Sequence, residues 1–199
     1  MGMWTRGIAG VAGVAVGLAV LATGPAGGSW GALALRENGP LGRLIDGARH
    51  EPAPTDREIV IERIVPASRS DCWALWTTGE GVGRFLTRHN SVELGIGAPY
   101  EIYFNMEAPK GERGSEDCRI LSYLPERMLS FEWNAPPHFP EVRQKRSRVV
   151  ILFEDVAEGT RVRLNHVGFG EGEQWDGVYD YFSRAWPTVM DRFSGSFEG

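Results

Sequence analysis

Residues 91–166 alternate apolar and polar side chains, with short clusters of turn residues between the alternating stretches. A period of two is the pattern of a β-strand with one buried and one solvent-facing side. Turn residues such as Gly95, Gly97 and Gly159 favour antiparallel strands joined by short connections. The pattern therefore predicts an antiparallel sheet with one buried face, formed by Val92 and Leu94, Tyr100, Ile102 and Phe104, Leu129, Phe131 and Trp133, Val149, Ile151 and Phe153, and Val162, Leu164 and His166.

Shorter elements are expected before this sheet. Residues 58–65 are rich in β-branched side chains and are followed by a proline, which predicts a first strand. Ser68 or Ser70 then suits the N-cap of a short helix with an apolar stripe over residues 72–78. A second short helix is predicted over residues 82–86.

The C-terminal segment has the strongest helical periodicity of the chain. Apolar side chains recur at spacings of three and four from Trp175 to Phe193, which predicts one long amphipathic helix. Pro187 lies inside this helix and is expected to kink it. The apolar stripe needs a partner surface, and the one-sided sheet is the surface of matching length. We therefore predict an α+β helix-grip fold, with a curved antiparallel sheet, two short helices and a long C-terminal helix packed across the sheet.

The first 34 residues have the pattern of a targeting segment. Arg6 precedes an uncharged apolar run over residues 8–22, and small residues such as Ala34 and Ala26 follow as alternative cleavage positions. This run is shorter than the roughly 20 residues that cross a membrane, which favours a cleaved signal peptide over a permanent membrane tether. The composition of residues 35–56 predicts a linker to a folded domain over residues 57–199. We expect export to the periplasm or the extracellular space, with a cytoplasmic location less favoured and membrane association expected only if the segment stays uncleaved.

Composition narrows the class of protein. The chain has 199 residues with 42% hydrophobic and 24% charged residues, which is typical of one globular domain with a substantial core. Its formal net charge of −5 argues against nucleic acid as a partner.

Several separated motifs resemble a known family. They are residues 120–127 and 128–137, residues 159–164 together with His166, and residues 170–187. These segments resemble the START-like SRPBCC superfamily and are similar to its bacterial branch of activator-of-heat-shock-ATPase homologues. The resemblance implies the helix-grip fold with a cavity between sheet and C-terminal helix, where different members bind lipids, hormones or polyketides and some perform cyclisation or hydrolysis. The export-like N-terminus departs from the cytosolic co-chaperones of this name.

Nine side chains are candidates for lining such a cavity. All lie on predicted inward faces, where they would form apolar walls suited to a small molecule, although for any single one of them ordinary core packing is the more common reason for an inward position. The nine are Trp76, Phe85, Phe104, Phe131, Trp133, His166, Trp175, Tyr179 and Phe182.

Two polar features accompany these candidates. His166 ends an apolar strand face, where it could hydrogen-bond a ligand, act as an acid or base, or be satisfied by a backbone group. Asn134 precedes a Pro-rich loop over residues 135–147 that contains His138 and Arg143. This loop either covers a cavity mouth or is a solvated basic loop.

Other chemistry has little support in the sequence. The histidines and cysteines lack the spacing of a metal site, no nucleophile elbow is present, and no cofactor is expected. Cys72 and Cys118 either form a disulfide or are buried thiols. We favour a non-catalytic binding protein for a small hydrophobic or amphipathic molecule or lipid. The alternatives are an enzyme of cyclase or hydrolase type, with His166 assisted by Tyr179 or a carboxylate, and a chaperone-regulating interaction protein.

Overall fold

The computed structural model describes residues 57–198. The predicted targeting segment, residues 1–34, and the predicted linker, residues 35–56, lie outside the described residues. The elements are β1 (Ile59–Val65), α1 (Arg69–Thr77), α2 (Gly79–Phe85), β2 (Asn90–Val92), β3 (Tyr100–Ile102), β4 (Ile120–Leu124), β5 (Met128–Trp133), α3 (Pro140–Arg143), β6 (Ser147–Val156), β7 (Gly159–Val167) and α4 (Glu173–Gly195).

Five strands form one antiparallel sheet in the order β1-β7-β6-β5-β4. Strands β2 and β3 form an antiparallel ribbon, and a bridge between Pro99 and Arg119 joins this ribbon to the start of β4. The tight turn from β6 to β7 requires Gly159, which has φ +132° and approaches the Val65 carbonyl so closely that a Cβ would lie 2.2 Å from its oxygen. The observed architecture confirms the predicted antiparallel sheet.

The predicted alternation is confirmed on the three central strands and wrong at two positions near the ribbon. On β5, β6 and β7 the predicted inward residues are buried, including His166 at the end of β7. Strand β3 instead ends at Ile102, and Phe104 is 58% exposed because the chain turns back there, with the Phe104 N–H donating to the Arg113 carbonyl. Strand β2 likewise ends before Leu94, which is exposed.

The two short helices are joined by one threonine. Ser68 is the N-cap of α1 and accepts a hydrogen bond from the Asp71 N–H, as one of the two predicted caps. Thr78 ends α1 and caps α2 by accepting from the Gly81 N–H. Helix α2 therefore begins at Gly79, three residues before the predicted start.

Helix α4 is continuous from Glu173 to Gly195 and runs through Pro187. Its buried stripe packs on the inner face of the sheet, which confirms the α+β helix-grip fold; the stripe consists of Trp175, Val178, Phe182, Trp186, Met190 and Phe193. Within residues 57–198, no helix combines the length and the apolar character needed to cross a bilayer.

Both cysteines are free and buried, so the disulfide considered for Cys72 and Cys118 is wrong. Burial raises the pKa of the Cys72 thiol to about 11 and that of Cys118 to about 12. These thiols are therefore protonated, unreactive components of the interior.

Candidate functional site

A cleft of about 370 Å³ lies between the middle of α4 and the end of β5. Its volume falls within the range of roughly 300–1,000 Å³ that is usual for small-molecule sites. Loop residues 104–105 and 112–115, together with residues 134–137, complete the walls. The cleft thus lies between the sheet and the closing helix, where the family resemblance implies a cavity.

Five aromatic side chains line the cleft. Trp133 comes from β5, whereas Phe182 and Trp186 are one turn apart on α4. The ring centroids of Trp133 and Trp186 are 5.3 Å apart, and those of Phe182 and Trp186 are 5.9 Å apart. Phe104 and Tyr181, both substantially exposed, stand at the opening.

One buried cation holds the loops around the cleft. Arg143, only 6% exposed, is placed by α3 and donates to the carbonyls of Gly111 at 2.7 Å, Gly114 at 2.9 Å and Ala135. These three carbonyls belong to the two loops that line the cleft. Arg143 therefore ties the β3–β4 loop to the β5–β6 loop.

A buried carboxylate completes this connection. Glu116 lies 3.9 Å from the Arg143 guanidinium, and it accepts hydrogen bonds from the Gly111 N–H at 2.9 Å and the Arg113 N–H at 2.7 Å. Burial lowers the pKa of the Arg143 guanidinium, and the charge of Glu116 opposes that shift. Both charges are thus compensated inside the loop structure.

The alternative of a solvated basic loop is wrong for Arg143, which is buried, and right for His138, which is exposed and does not line the cleft. Asn134 is also buried and lines the cleft. Sequence reasoning missed the burial of Arg143 because its partners are loop carbonyls from distant parts of the chain, which leave no pattern around the arginine.

His166 is fully buried at the centre of a hydrogen-bond relay that joins helix and sheet. Trp186 Nε1–H donates to His166 Nδ1 at 2.8 Å, and His166 Nε2 lies 2.7 Å from Ser147 Oγ. An indole nitrogen can only donate, so His166 Nδ1 carries no proton and Nε2–H must donate to Ser147. Ser147 Oγ–H donates in turn to the Trp133 carbonyl at 2.9 Å.

This relay decides what His166 can do chemically. Burial lowers the pKa of His166 to about 3, so the ring is neutral at ordinary pH. With Nδ1 occupied by Trp186 and Nε2 acting as a donor, His166 cannot take a proton from Ser147. The polar partners are side chains rather than the backbone group considered from sequence, and His166 does not line the cleft.

The nine candidate residues fall into separate groups. Phe104, Trp133 and Phe182 line the cleft. Trp76, Phe85 and Phe131 pack elsewhere, in a filled cluster with Tyr100 and Phe193. His166 lies in the relay, and Trp175 and Tyr179 contact Phe169 near the start of α4.

Sequence reasoning also missed lining residues on α4. Trp186 and Val189 follow Phe182 at helical spacings and line the cleft with Ala185. The same apolar stripe that placed Phe182 could have identified Trp186. Among residues 57–198, no group of three or more His, Cys, Asp or Glu side chains is arranged to hold a metal ion.

The fold is shared with solved bacterial proteins. The protein MLL2253 from Mesorhizobium loti is 22% identical with a TM-score of 0.59, over 71% of this chain and 97% of the other. The Aha1 dimer from Colwellia psychrerythraea is 17% identical with a TM-score of 0.55, over 71% and 96%. DynU16, a putative protein in the dynemicin biosynthetic locus, is 18% identical with a TM-score of 0.54, over 72% and 48%. No curated protein has a significantly similar sequence.

The curved sheet, the closing helix and the cleft between them define a helix-grip protein of the START-like SRPBCC class. Residues 66–198 match the model of the Activator of Hsp90 ATPase homolog 1-like protein family. The chain belongs to this family, whose fold commonly binds small hydrophobic ligands.

Proposed function

We propose that the domain binds a small hydrophobic or amphipathic molecule in the cleft and does so without catalysis. The observation that carries this proposal is that Trp133, Phe182 and Trp186 meet around open space of about 370 Å³. Buried aromatic rings normally close on one another, and each 100 Å² of apolar surface removed from water contributes about 2.5 kcal/mol. An apolar ligand would supply the missing contacts.

The geometry gives less support to the enzyme alternative. Nucleophilic catalysis needs a base that can accept the proton of the nucleophile. The Nε2–H of His166 points to Ser147, because Nδ1 accepts the hydrogen bond from the Trp186 indole. The imidazole ring is also fully buried. Arg143 and Glu116 are engaged with loop backbone, so they stabilise the walls of the cleft instead of presenting a reactive pair.

We also propose that the chain is exported and that residues 1–34 direct this export. The support is the uncharged run over residues 8–22 and the small residues that follow it. A phosphatase that is active only outside the cytoplasm, fused after residue 56, should be active in cells. The same fusion without residues 1–34 should be inactive, whereas equal activity of both fusions would contradict export. Cytoplasmic retention would instead favour the chaperone-regulating alternative.

Native mass spectrometry tests ligand binding most simply. The full chain, purified gently from its own host, should carry a defined extra mass that is lost on denaturation. Ala185→Phe places a ring in the cleft and should remove that mass, because Ala185 lines the cleft. Thr188→Phe makes the same addition at an exposed position on α4 and should retain it.

Retention of the mass by Ala185→Phe would place the ligand elsewhere and contradict the proposed site. Absence of extra mass in the unmodified chain would contradict a carrier that is loaded in its host. Thermal melts of both variants check that the fold is kept.

A further inference from the structure

Asn134 is a buried amide in the wall of the cleft. It follows Trp133 at the end of β5, where the chain leaves the sheet, and is only 5% exposed. It lines the cleft beside the aromatic rings. Its carboxamide is therefore held away from bulk water but next to the space that a ligand would fill.

Most of the hydrogen-bonding capacity of this amide is unused. A carboxamide offers two N–H donors and an oxygen with two acceptor positions. Among residues 57–198, the side chain of Asn134 makes one hydrogen bond, from Nδ2 to the Glu116 carbonyl at the long distance of 3.4 Å. Asn134 Oδ1 has no hydrogen bond among residues 57–198, yet it is not one of the unpaired side-chain atoms that are sealed from solvent. It is therefore free to pair with a polar group that enters the cleft.

The neighbouring polar side chains of Ser115 and Arg143 are already engaged. Ser115 Oγ accepts from the Ile102 N–H at 2.8 Å and lies 3.4 Å from the Tyr100 carbonyl. The guanidinium of Arg143 donates to three loop carbonyls and faces Glu116. Asn134 is thus a deeply buried lining side chain that can still donate and accept, whereas the indole of the neighbouring Trp133 can only donate.

The buried cation in the lining of the cleft is already compensated. Arg143 is opposed by Glu116, and the half-buried Arg113 donates from Nε to the Ala108 carbonyl at 3.0 Å. Among the buried residues that line the cleft, an anionic ligand group would thus meet no uncompensated cation, and a cationic group no uncompensated carboxylate. The electrostatics therefore favour a neutral polar group on the ligand.

We propose that Asn134 determines ligand specificity by hydrogen-bonding a hydroxyl or carbonyl group of a neutral, largely apolar ligand whose ring or chain packs against Trp133 and Trp186. This inference rests on the proposed binding function and narrows it. It predicts that pure hydrocarbons and apolar carboxylates of the same shape bind less well than neutral alcohols or ketones.

A shape-matched series of probes tests this specificity. Naphthalene, 2-naphthol and 2-naphthoate share one ring system and differ in whether they are apolar, neutral polar or anionic at pH 7. Isothermal titration calorimetry with the full chain should give the tightest binding for 2-naphthol, by about five- to tenfold over naphthalene, as expected for one buried hydrogen bond. The 2-naphthoate anion should bind at least as weakly as naphthalene.

Asn134→Ala should remove the preference for 2-naphthol while changing the naphthalene affinity by less than about twofold. Gln144→Ala is the matched control, because it also removes a carboxamide, but one that is exposed and lies outside the lining of the cleft. This control should keep the preference. If Asn134→Ala fails to fold, Asn134→Ser and the probe order in the unmodified chain still decide the question.

Tightest binding of 2-naphthoate, equal binding of naphthalene and 2-naphthol, or a preference that persists in Asn134→Ala would overturn the role of Asn134 while leaving the cleft as a binding site. Failure of all three probes to bind would overturn the proposed binding function itself.

Discussion

Two groups of aromatic side chains lie between the same helix and the same sheet, and only one of them is filled. In the filled cluster, Phe131 stacks on Tyr100 at 3.9 Å between ring centroids, and Trp76 contacts both Phe85 and Phe193. In the open cleft, Trp133 and Trp186 border about 370 Å³ of free space. Residue type therefore does not distinguish a core from a cavity in this fold.

The difference lies in what covers each group. Helices α1 and α2 supply Trp76 and Phe85, which fill the space under the C-terminal end of α4. Over the cleft, none of the helices within residues 57–198 fills the same layer, and the walls are completed by loops that the Arg143–Glu116 pair holds in place. At the cleft, a buried ion pair between loops therefore takes the place of the apolar side chains that α1 and α2 pack under the C-terminal end of α4.

The filled cluster should be the more sensitive to loss of a ring. Phe131→Ala removes a fully buried side chain and should lower the free energy of unfolding by about 4 kcal/mol, because the surrounding rings cannot collapse into the space. Chemical denaturation followed by tryptophan fluorescence measures this change.

Phe104→Ala is the matched control from the opening of the cleft, where the ring is largely exposed. It should change the free energy of unfolding by no more than about 0.5 kcal/mol. Similar decreases in the free energy of unfolding for the two variants would show that the two aromatic groups are equally packed, which would contradict the distinction between the filled cluster and the open cleft.

The relay behind the cleft predicts a smaller, pH-dependent effect. The folded pKa of His166, about 3, lies below the value of about 6.5 for an unfolded histidine, so the unfolded chain binds more protons between these values. Stability from a neutral His166 is therefore complete above about pH 6.5 and declines as the pH falls towards 3, by about 1.4 kcal/mol per pH unit.

His166→Gln cannot titrate and supplies the reference for this measurement. The difference in unfolding free energy between the unmodified chain and His166→Gln should decline between pH 6 and pH 4. A difference independent of pH would mean that His166 is accessible to protons in the folded state, contrary to the buried relay.

Much of the fold could be predicted because it depends on periodicity. The alternation in β5 to β7 and the three–four spacing in α4 each report one buried face, and both are confirmed. Local patterns failed where the chain leaves the regular elements. Phe104 continues the apparent alternation of β3, yet the turn back towards Arg113 exposes it.

The candidate site was less predictable because it is made by contacts that are distant in sequence. The inward positions of Trp133 and Phe182 were enough to propose them as cleft residues. Phe131 has the same kind of inward position, but the space around it is filled by side chains from α1 and α2, which the pattern of its own strand does not reveal. The burial of Arg143 depends on carbonyls about thirty residues away. Such tertiary contacts have no periodic signature.

A crystal structure of the full chain with 2-naphthol bound is the most direct test of the central claim that the aromatic cleft, unlike the filled cluster, holds a ligand. The account predicts the naphthol ring in the cleft, packed against Trp133 and Trp186, with its hydroxyl group within hydrogen-bond distance of the Asn134 carboxamide. Ring density outside the cleft, or a cleft closed by its own side chains in the presence of saturating 2-naphthol, would contradict it.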